Sequence, residues 1–276
     1  MSEQLHDAGR LAVIGVGVMG EALLAAALRA GWDPAQVHGT VDPSVPETRL
    51  DDLIERYGVQ ISTDNRAAVR EAATVIVAVK PGSVVEVLAQ LSPELASGTL
   101  IVSVAGGIAL ETYEQALPAG TGVVRVMPNT PALIGAGVSG MSLGSAVSAA
   151  QAERARALLA QTGLVIEVPE HLQNAVTAIS GSGPAYVFYL VDALAEAGVG
   201  LGLSRDQALQ LAIGTFAGSA QLLQETGEHP VVLRERVTSP GGTTAAGLAK
   251  LDEGSVRFDI IAAARATAAR AAEMGS

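Results

Sequence analysis

The segment Arg10-Leu-Ala-Val-Ile-Gly-Val-Gly-Val-Met-Gly-Glu-Ala-Leu-Leu24 constrains the fold more than any other. An apolar run with strand character ends in G-x-G-x-x-G, and a helical pattern follows. Each glycine has its own task. Gly15 permits a tight turn, Gly17 lets the backbone approach a pyrophosphate, and Gly20 lets the helix pack close to the sheet. The first helical turn then offers unpaired N–H groups and partial positive charge, both suited to phosphate. The pattern reads as a dinucleotide site, and a tight strand–helix turn without a ligand is the plain alternative.

The same alternation runs through residues 1–168. Strands are expected at 11–14, 37–41, 75–79, 100–104, 123–127 and 164–168, and helices at 21–30, 46–57, 66–72, 84–91, 110–116 and 149–162. Several strands are continuous apolar runs, as in a parallel sheet covered on both faces. This predicts an α/β domain with a doubly wound sheet. Residues 169–276 offer no strand candidate. Helices are expected at 183–201, 205–225, 231–236, 243–253 and 255–272, making this half an all-α domain. From Tyr186 to Ala197 the only charges are Asp192 and Glu196, which share one helix face. A helix apolar almost all round must be buried almost all round. That points to a subunit interface, with the central helix of a monomeric bundle as the alternative.

Composition excludes several chemistries. With no cysteine there is no disulfide, thiol nucleophile or cysteine-held metal. The four histidines, His6, His38, His171 and His229, are scattered, so no metal site is expected. The net charge, 17 − 28 = −11, comes with no basic cluster, which argues against nucleic acid. No stretch of 18 apolar residues occurs, so no membrane helix is expected. The start, MSEQLHDAGR, lacks the basic-then-apolar pattern of a signal peptide. A cytoplasmic protein is the expectation.

Further candidates lie at predicted strand ends, where ligands bind in doubly wound sheets. Asp42 follows the second strand. It reads either as the acceptor for a ribose diol or as a turn residue before Pro43. Ala78, Val79, Lys80 and Pro81 end the strand at 75–79; Lys80 reaches the cofactor edge or is merely solvated. Ser103-Val-Ala-Gly-Gly107 and Met127-Pro-Asn-Thr-Pro131 bring Ala105, Gly106 and Asn129 to the same crevice.

Two segments of the helical half are rich in glycine and hydroxyls. Ser180-Gly-Ser-Gly-Pro-Ala-Tyr186 reads foremost as a cap and a bend, with Ser182 or Gly183 capping and Pro184 in the first turn. In Val237-Thr-Ser-Pro-Gly-Gly-Thr-Thr-Ala245, Ser239 reads as an N-cap with Pro240 opening a helix. Gly241 and Gly242 would then each weaken that helix by about 1 kcal/mol relative to alanine. Bare backbone with the Thr243 and Thr244 hydroxyls suits a carboxylate, against a plain helix start.

Taken together, GVGVMG, AVKPG, SVAGG, RVMPNTPAL, SGSGPAY and VTSPGGTTAAGLAKLDEG resemble the pyrroline-5-carboxylate reductase family, in its order and from Leu11 to about Arg270. The resemblance implies a Rossmann-like N-terminal domain and a helical dimerisation domain, with decamers known among members. It implies reduction of the C=N bond of 1-pyrroline-5-carboxylate to L-proline with NADPH or NADH, the final step of proline biosynthesis. The family's cofactor contacts fall on Gly15, Val18, Met19, Gly20, Asn65, Lys80, Pro81 and Ala105. Its substrate-carboxylate loop falls on Ser239, Gly242, Thr243 and Thr244. Many members carry serine, asparagine or arginine in the region of Asp42. Thr244 is the expected hydrogen-bond partner of the ring nitrogen, and the site is expected between the two domains, with the loop available from a partner chain. A β-hydroxyacid dehydrogenase would need a lysine between Gly181 and Arg205, and none is there. A six-membered-ring imine reductase and a nicotinamide sensor remain the other readings.

Overall fold

The computed structural model describes residues 9–275. His6 and most of the MSEQLHDAGR start lie outside them. The chain forms two compact units. One runs through Gly181 and includes the chain from Ala268 onward; the other is Ser182–Thr267.

The first unit is an eight-stranded sheet between helices. The strands are β1 (Arg10–Ile14), β2 (Val37–Thr40), β3 (Gln60–Ser62), β4 (Ala72–Val77), β5 (Leu100–Ser103), β6 (Gly122–Met127), β7 (Gly137–Leu143) and β8 (Gly163–Glu167). Their order is β3-β2-β1-β4-β5-β6-β7-β8, and only the β6–β7 pair is antiparallel. The chain leaves β1 first towards β2 and later returns to β4 on its other side. The topological switch point of the sheet therefore lies between β1 and β4.

The helices of this unit are α1 (Val18–Arg29), α2 (Glu47–Tyr57), α3 (Asn65–Val69), α4 (Val84–Leu91), α5 (Leu110–Ala116), α6 (Ala149–Ala160) and α7 (Gln173–Val176). Leu23 and Leu24 of α1 pack with Leu158 and Leu159 of α6 in one core layer. Val84, Leu88 and Leu91 of α4 pack with Tyr113 of α5 in the other. Apolar burial on both faces explains the uninterrupted apolar strands.

Three expectations need correction. β3 and β7 were not foreseen. β7 is Gly-Val-Ser-Gly-Met-Ser-Leu, too rich in glycine and serine to show a strand pattern. The helix expected at 66–72 stops at Val69; Glu71 takes φ 60° and Ala72 already pairs in β4. After α7 the chain makes a π-helical turn, Thr177–Gly181, for which no element was expected and which runs into the segment at 180–186 read as a cap and a bend.

The second unit comprises α8 (Gly183–Gly200), α9 (Arg205–Thr226), α10 (Pro230–Arg236), α11 (Thr243–Glu253) and the greater part of α12 (Val256–Met274). A reciprocal capping box fixes the start of α9: Ser204 Oγ accepts from Gln207 N, and Gln207 Oε1 accepts from Ser204 N. Its core is slight. Ala195, Ala208 and Ala212 are the buried cluster where α8 meets α9. Phe188 and Tyr189 of α8 stay 64% and 76% exposed in the single chain. So much apolar surface around so small a core requires a second protein surface.

Candidate active site

The glycine fingerprint adopts the geometry its residues require. Gly15 has φ 90°, a conformation L side chains rarely adopt. Its N–H donates to the Thr40 carbonyl at 3.1 Å, and Val16 N donates to the same oxygen at 2.7 Å. The turn is thus fastened to the end of β2. A Cβ on Gly20 would collide with the Gly15 carbonyl, so α1 lies directly on the turn. A Cβ on Gly17 would meet nothing within 4 Å. Gly17 is also the N-cap of α1 and supplies no side-chain acceptor, which leaves the first-turn N–H groups of Val18 and Met19 to a ligand. These residues fit a pyrophosphate.

The neighbouring strand ends complete the rim. Ala78 N donates to Ile14 O at 2.8 Å, aligning the end of β4 with the fingerprint turn. Lys80 is exposed, forms no salt bridge among the described residues, and precedes a 3-10 turn opened by Pro81. Val79 packs against Gly15. Asn65, the first residue of α3, accepts from Thr40 Oγ1 at 2.7 Å and donates to Gln90 at 3.2 Å. Beneath the SVAGG segment, Ser103 Oγ and the Tyr113 hydroxyl lie 2.5 Å apart, and Ala105 N donates to Ser103 Oγ at 3.3 Å. Burial pushes the Tyr113 phenol up, so it stays protonated. Gly106 follows, half-buried.

Asp42 forms a turn. Its Oδ1 accepts from Ser44 N at 2.9 Å and from Ser44 Oγ at 2.6 Å. Those hydrogen bonds hold its carboxyl below the usual range, with a smaller pull from the Lys80 charge. The carboxylate is exposed, and its second oxygen accepts no hydrogen bond among the described residues.

Asn129 is occupied on both sides of its amide. It donates to Ser180 O at 3.0 Å and accepts from Val138 N at 2.9 Å. Thr40, Gln90 and Tyr113 carry no motif, and Ser180 acts here through its backbone carbonyl rather than through the SGSGPAY pattern. Their roles arise from contacts that sequence spacing does not reveal.

The second unit holds the other candidate loop. Ser239 is not an N-cap. Its carbonyl accepts from Gly242 N at 3.0 Å across a tight turn, with Pro240 second and Gly241 third at φ 69°. Proline then glycine with positive φ is a type II turn. Helix α11 begins only at Thr243, with Gly242 as N-cap and no side-chain cap. The two glycines therefore weaken no helix. The Thr243 and Thr244 hydroxyls make no hydrogen bond among the described residues, and Thr244 is half-buried. Ser182 is the N-cap of α8, as expected, but caps through no side-chain bond. Among the described residues no acidic or histidine cluster could hold a metal, and no helix is long and apolar enough to cross a membrane.

Comparison with known proteins decides the family. Residues 170–274 match the model for pyrroline-5-carboxylate reductase dimerisation, and residues 10–107 match that for coenzyme F420-dependent NADP oxidoreductases. A pyrroline-5-carboxylate reductase from Corynebacterium melassecola is 43% identical over 268 residues, covering 96% of this chain and 98% of the relative. The chain belongs to the pyrroline-5-carboxylate reductase family. The solved pyrroline-5-carboxylate reductase of Coxiella burnetii superposes with a TM-score of 0.91 at 34% identity, over 98% of this chain and all of that one. The Plasmodium falciparum enzyme, solved with NADP bound, gives 0.85 at 29% identity, over 97% and 98%. The fold expectation, a Rossmann-like α/β domain followed by a helical dimerisation domain, is borne out.

Proposed function

We infer that this chain is an NAD(P)H-dependent oxidoreductase that reduces the imine of 1-pyrroline-5-carboxylate to L-proline. Family membership over nearly the whole length carries this reading. The geometry supports it with a bare, glycine-capped helix start in each unit, one shaped for a pyrophosphate and one for a carboxylate.

Residues 1–168 hold the nucleotide in this reading. Gly15, Gly17, Val18, Met19 and Gly20 cradle the pyrophosphate. Asp42 and Asn65 face the adenosine side. Ala78, Val79, Lys80, Pro81, Ala105 and Gly106 line the nicotinamide side, and Asn129 steadies its far edge. When bound, NAD(P)H supplies the hydride that forms the new C–H bond at C5 of the ring. Residues 169–276 hold the substrate and build the dimer. Ser239, Gly242 and Thr243 hold the carboxylate, while Thr244 hydrogen-bonds the ring nitrogen. That nitrogen carries a proton taken from water, so no strong general acid is needed, and the loop contains no histidine or lysine. The protein's contribution is orientation of two ligands. Transfer requires the nicotinamide and the imine carbon to come together, and a partner chain in the dimer can supply the loop.

The enzyme is assigned to the cytoplasm and to a homodimer. Sedimentation distinguishes the dimer from a decamer. The activity test is oxidation of NADPH and NADH by purified protein with 1-pyrroline-5-carboxylate. Turnover with either supports the reaction. Thr244→Ala is expected to lower kcat/KM by about tenfold or more, the worth of one hydrogen bond to a charged group; a value within about twofold of wild type removes Thr244 from its role.

A further inference from the structure

α2 follows directly on the Asp42 turn and carries two arginines, Arg49 and Arg56. Neither guanidinium is free. Arg49 Nη2 bonds Glu21 Oε2, and its Nη1 bonds Asp52 at 2.7 Å. Arg56 bonds Glu21 Oε1 at 2.7 Å and both oxygens of Asp52 at 2.7 and 2.6 Å. The Tyr57 hydroxyl closes the network by donating to Glu21 Oε1 at 2.9 Å. Two arginines and two carboxylates sum to zero charge. Glu21 is the best protected of the four, with its side chain 17% exposed.

Its position gives the network a meaning beyond stability. Glu21 directly follows the last fingerprint glycine, in the first turn of α1, and its N–H donates to Gly17 O at 2.8 Å. The network therefore ties the pyrophosphate helix to the helix that follows β2. In a dinucleotide fold, the end of β2 is where the adenosine ribose is read. A free guanidinium, planar and able to bind two oxygens, is the side chain best shaped to hold a 2′-phosphate there. Here both guanidiniums of α2 are paired with carboxylates, and two residues beyond the strand end stands the exposed Asp42 carboxylate, with one oxygen unengaged among the described residues. A ribose diol can donate to that carboxylate; a 2′-phosphate is repelled by it.

We propose that Glu21 sets a preference for NADH over NADPH, by sequestering Arg49 and Arg56 while Asp42 accepts from the ribose diol. The proposal rests on the dinucleotide assignment above and adds a specificity-determining residue to it.

The test is calorimetric titration of the full-length protein with NAD+ and with NADP+, in which no turnover is read. Wild type is expected to bind NAD+ about tenfold more tightly. Glu21→Gln is expected to tighten NADP+ binding by about fivefold, the scale of one partly screened charge contact, with NAD+ unchanged. Adding both Arg49→Gln and Arg56→Gln to that variant should abolish the gain. Arg49→Gln alone is the second probe, needed if Glu21→Gln lowers the thermal midpoint. It should leave NADP+ affinity unchanged, because Arg49 is already engaged. A wild type that prefers NADP+, an Arg49→Gln protein that loses NADP+ affinity, or a Glu21→Gln protein that shifts both nucleotides alike overturns the proposal and leaves the dinucleotide site standing. Binding of neither nucleotide to folded wild type overturns both.

Discussion

Asn129 and Ser180 are 51 residues apart in sequence, yet the Asn129 side-chain amide donates to the Ser180 carbonyl at 3.0 Å. The same side chain accepts from Val138 N at the start of β7. One buried amide thus joins the MPNTP segment, β7 and the π-helical turn before α8. Asn129→Ala would strip both backbone groups of their partner, and an unsatisfied buried group costs about 1–3 kcal/mol. Urea denaturation should show a loss of that size. A midpoint equal to wild type would show that the tie is dispensable.

The fingerprint glycines should separate folding from binding. Gly17→Ala meets open space, so its thermal midpoint should match wild type while nucleotide affinity falls. Gly20→Ala drives a methyl into the Gly15 carbonyl and should destabilise the protein itself. Thermal melts alongside NAD+ titration check both. Equal midpoints for the two variants would contradict the packing described.

Gly241 sits at φ 69° in the turn before α11. Alanine in the left-handed region costs about 1–2 kcal/mol. The loop should reshape locally rather than unfold the sheet unit. The expected signature of Gly241→Ala is a raised KM for the imino acid with an unchanged KM for the nucleotide. Equal rises in both would argue against a substrate-only loop.

His38 lies half-buried on β2, with Nε2 2.8 Å from Ser62 Oγ. Burial lowers its pKa from 6.5; the Asp64 charge opposes that shift and Arg10 adds to it. The native state therefore refuses a proton that the unfolded chain accepts below 6.5. Stability should fall as pH drops from about 6.5 towards the lowered native value, and above about 6.5, where His38 is neutral in both states, its contribution to the slope vanishes. His38→Gln should flatten the profile in that window. Urea midpoints between about pH 5 and 7.5 measure the slope, and an identical slope in the variant would rule His38 out as its source.

Much of this was legible along the chain. β1, the fingerprint and α1 lie within 20 residues, and their chemistry is local: glycine where backbone must turn or approach, apolar residues where both faces are covered. Helices α4, α5 and α11 fell on their predicted bounds because periodic apolar residues and turn signals mark them. The apolar girth of α8 announced a second surface, and the family's dimerisation model covers that segment.

β7 was illegible because its support comes from elsewhere. Ser142 Oγ donates to Val168 O at 2.7 Å, and the buried Gln173 donates back to Ser142 at 2.8 Å. Those bonds make a polar, glycine-rich strand stable inside a sheet, and no local pattern encodes them. The Ser239 turn was misread for a related reason. A serine before proline suits a helix cap and a type II turn equally, and the backbone of Gly241 and Gly242 decided for the turn.

The sequence by itself determined most of the elements, the glycine-capped start of α1 and the reaction family, because these depend on residues close together in the chain. The tertiary structure alone decided that Asn129 is a tie, that Asp42 keeps one oxygen unengaged among the described residues and that Glu21 pairs with two arginines. Each of those depends on which hydrogen-bonding groups are already satisfied, and that is settled only when distant segments pack.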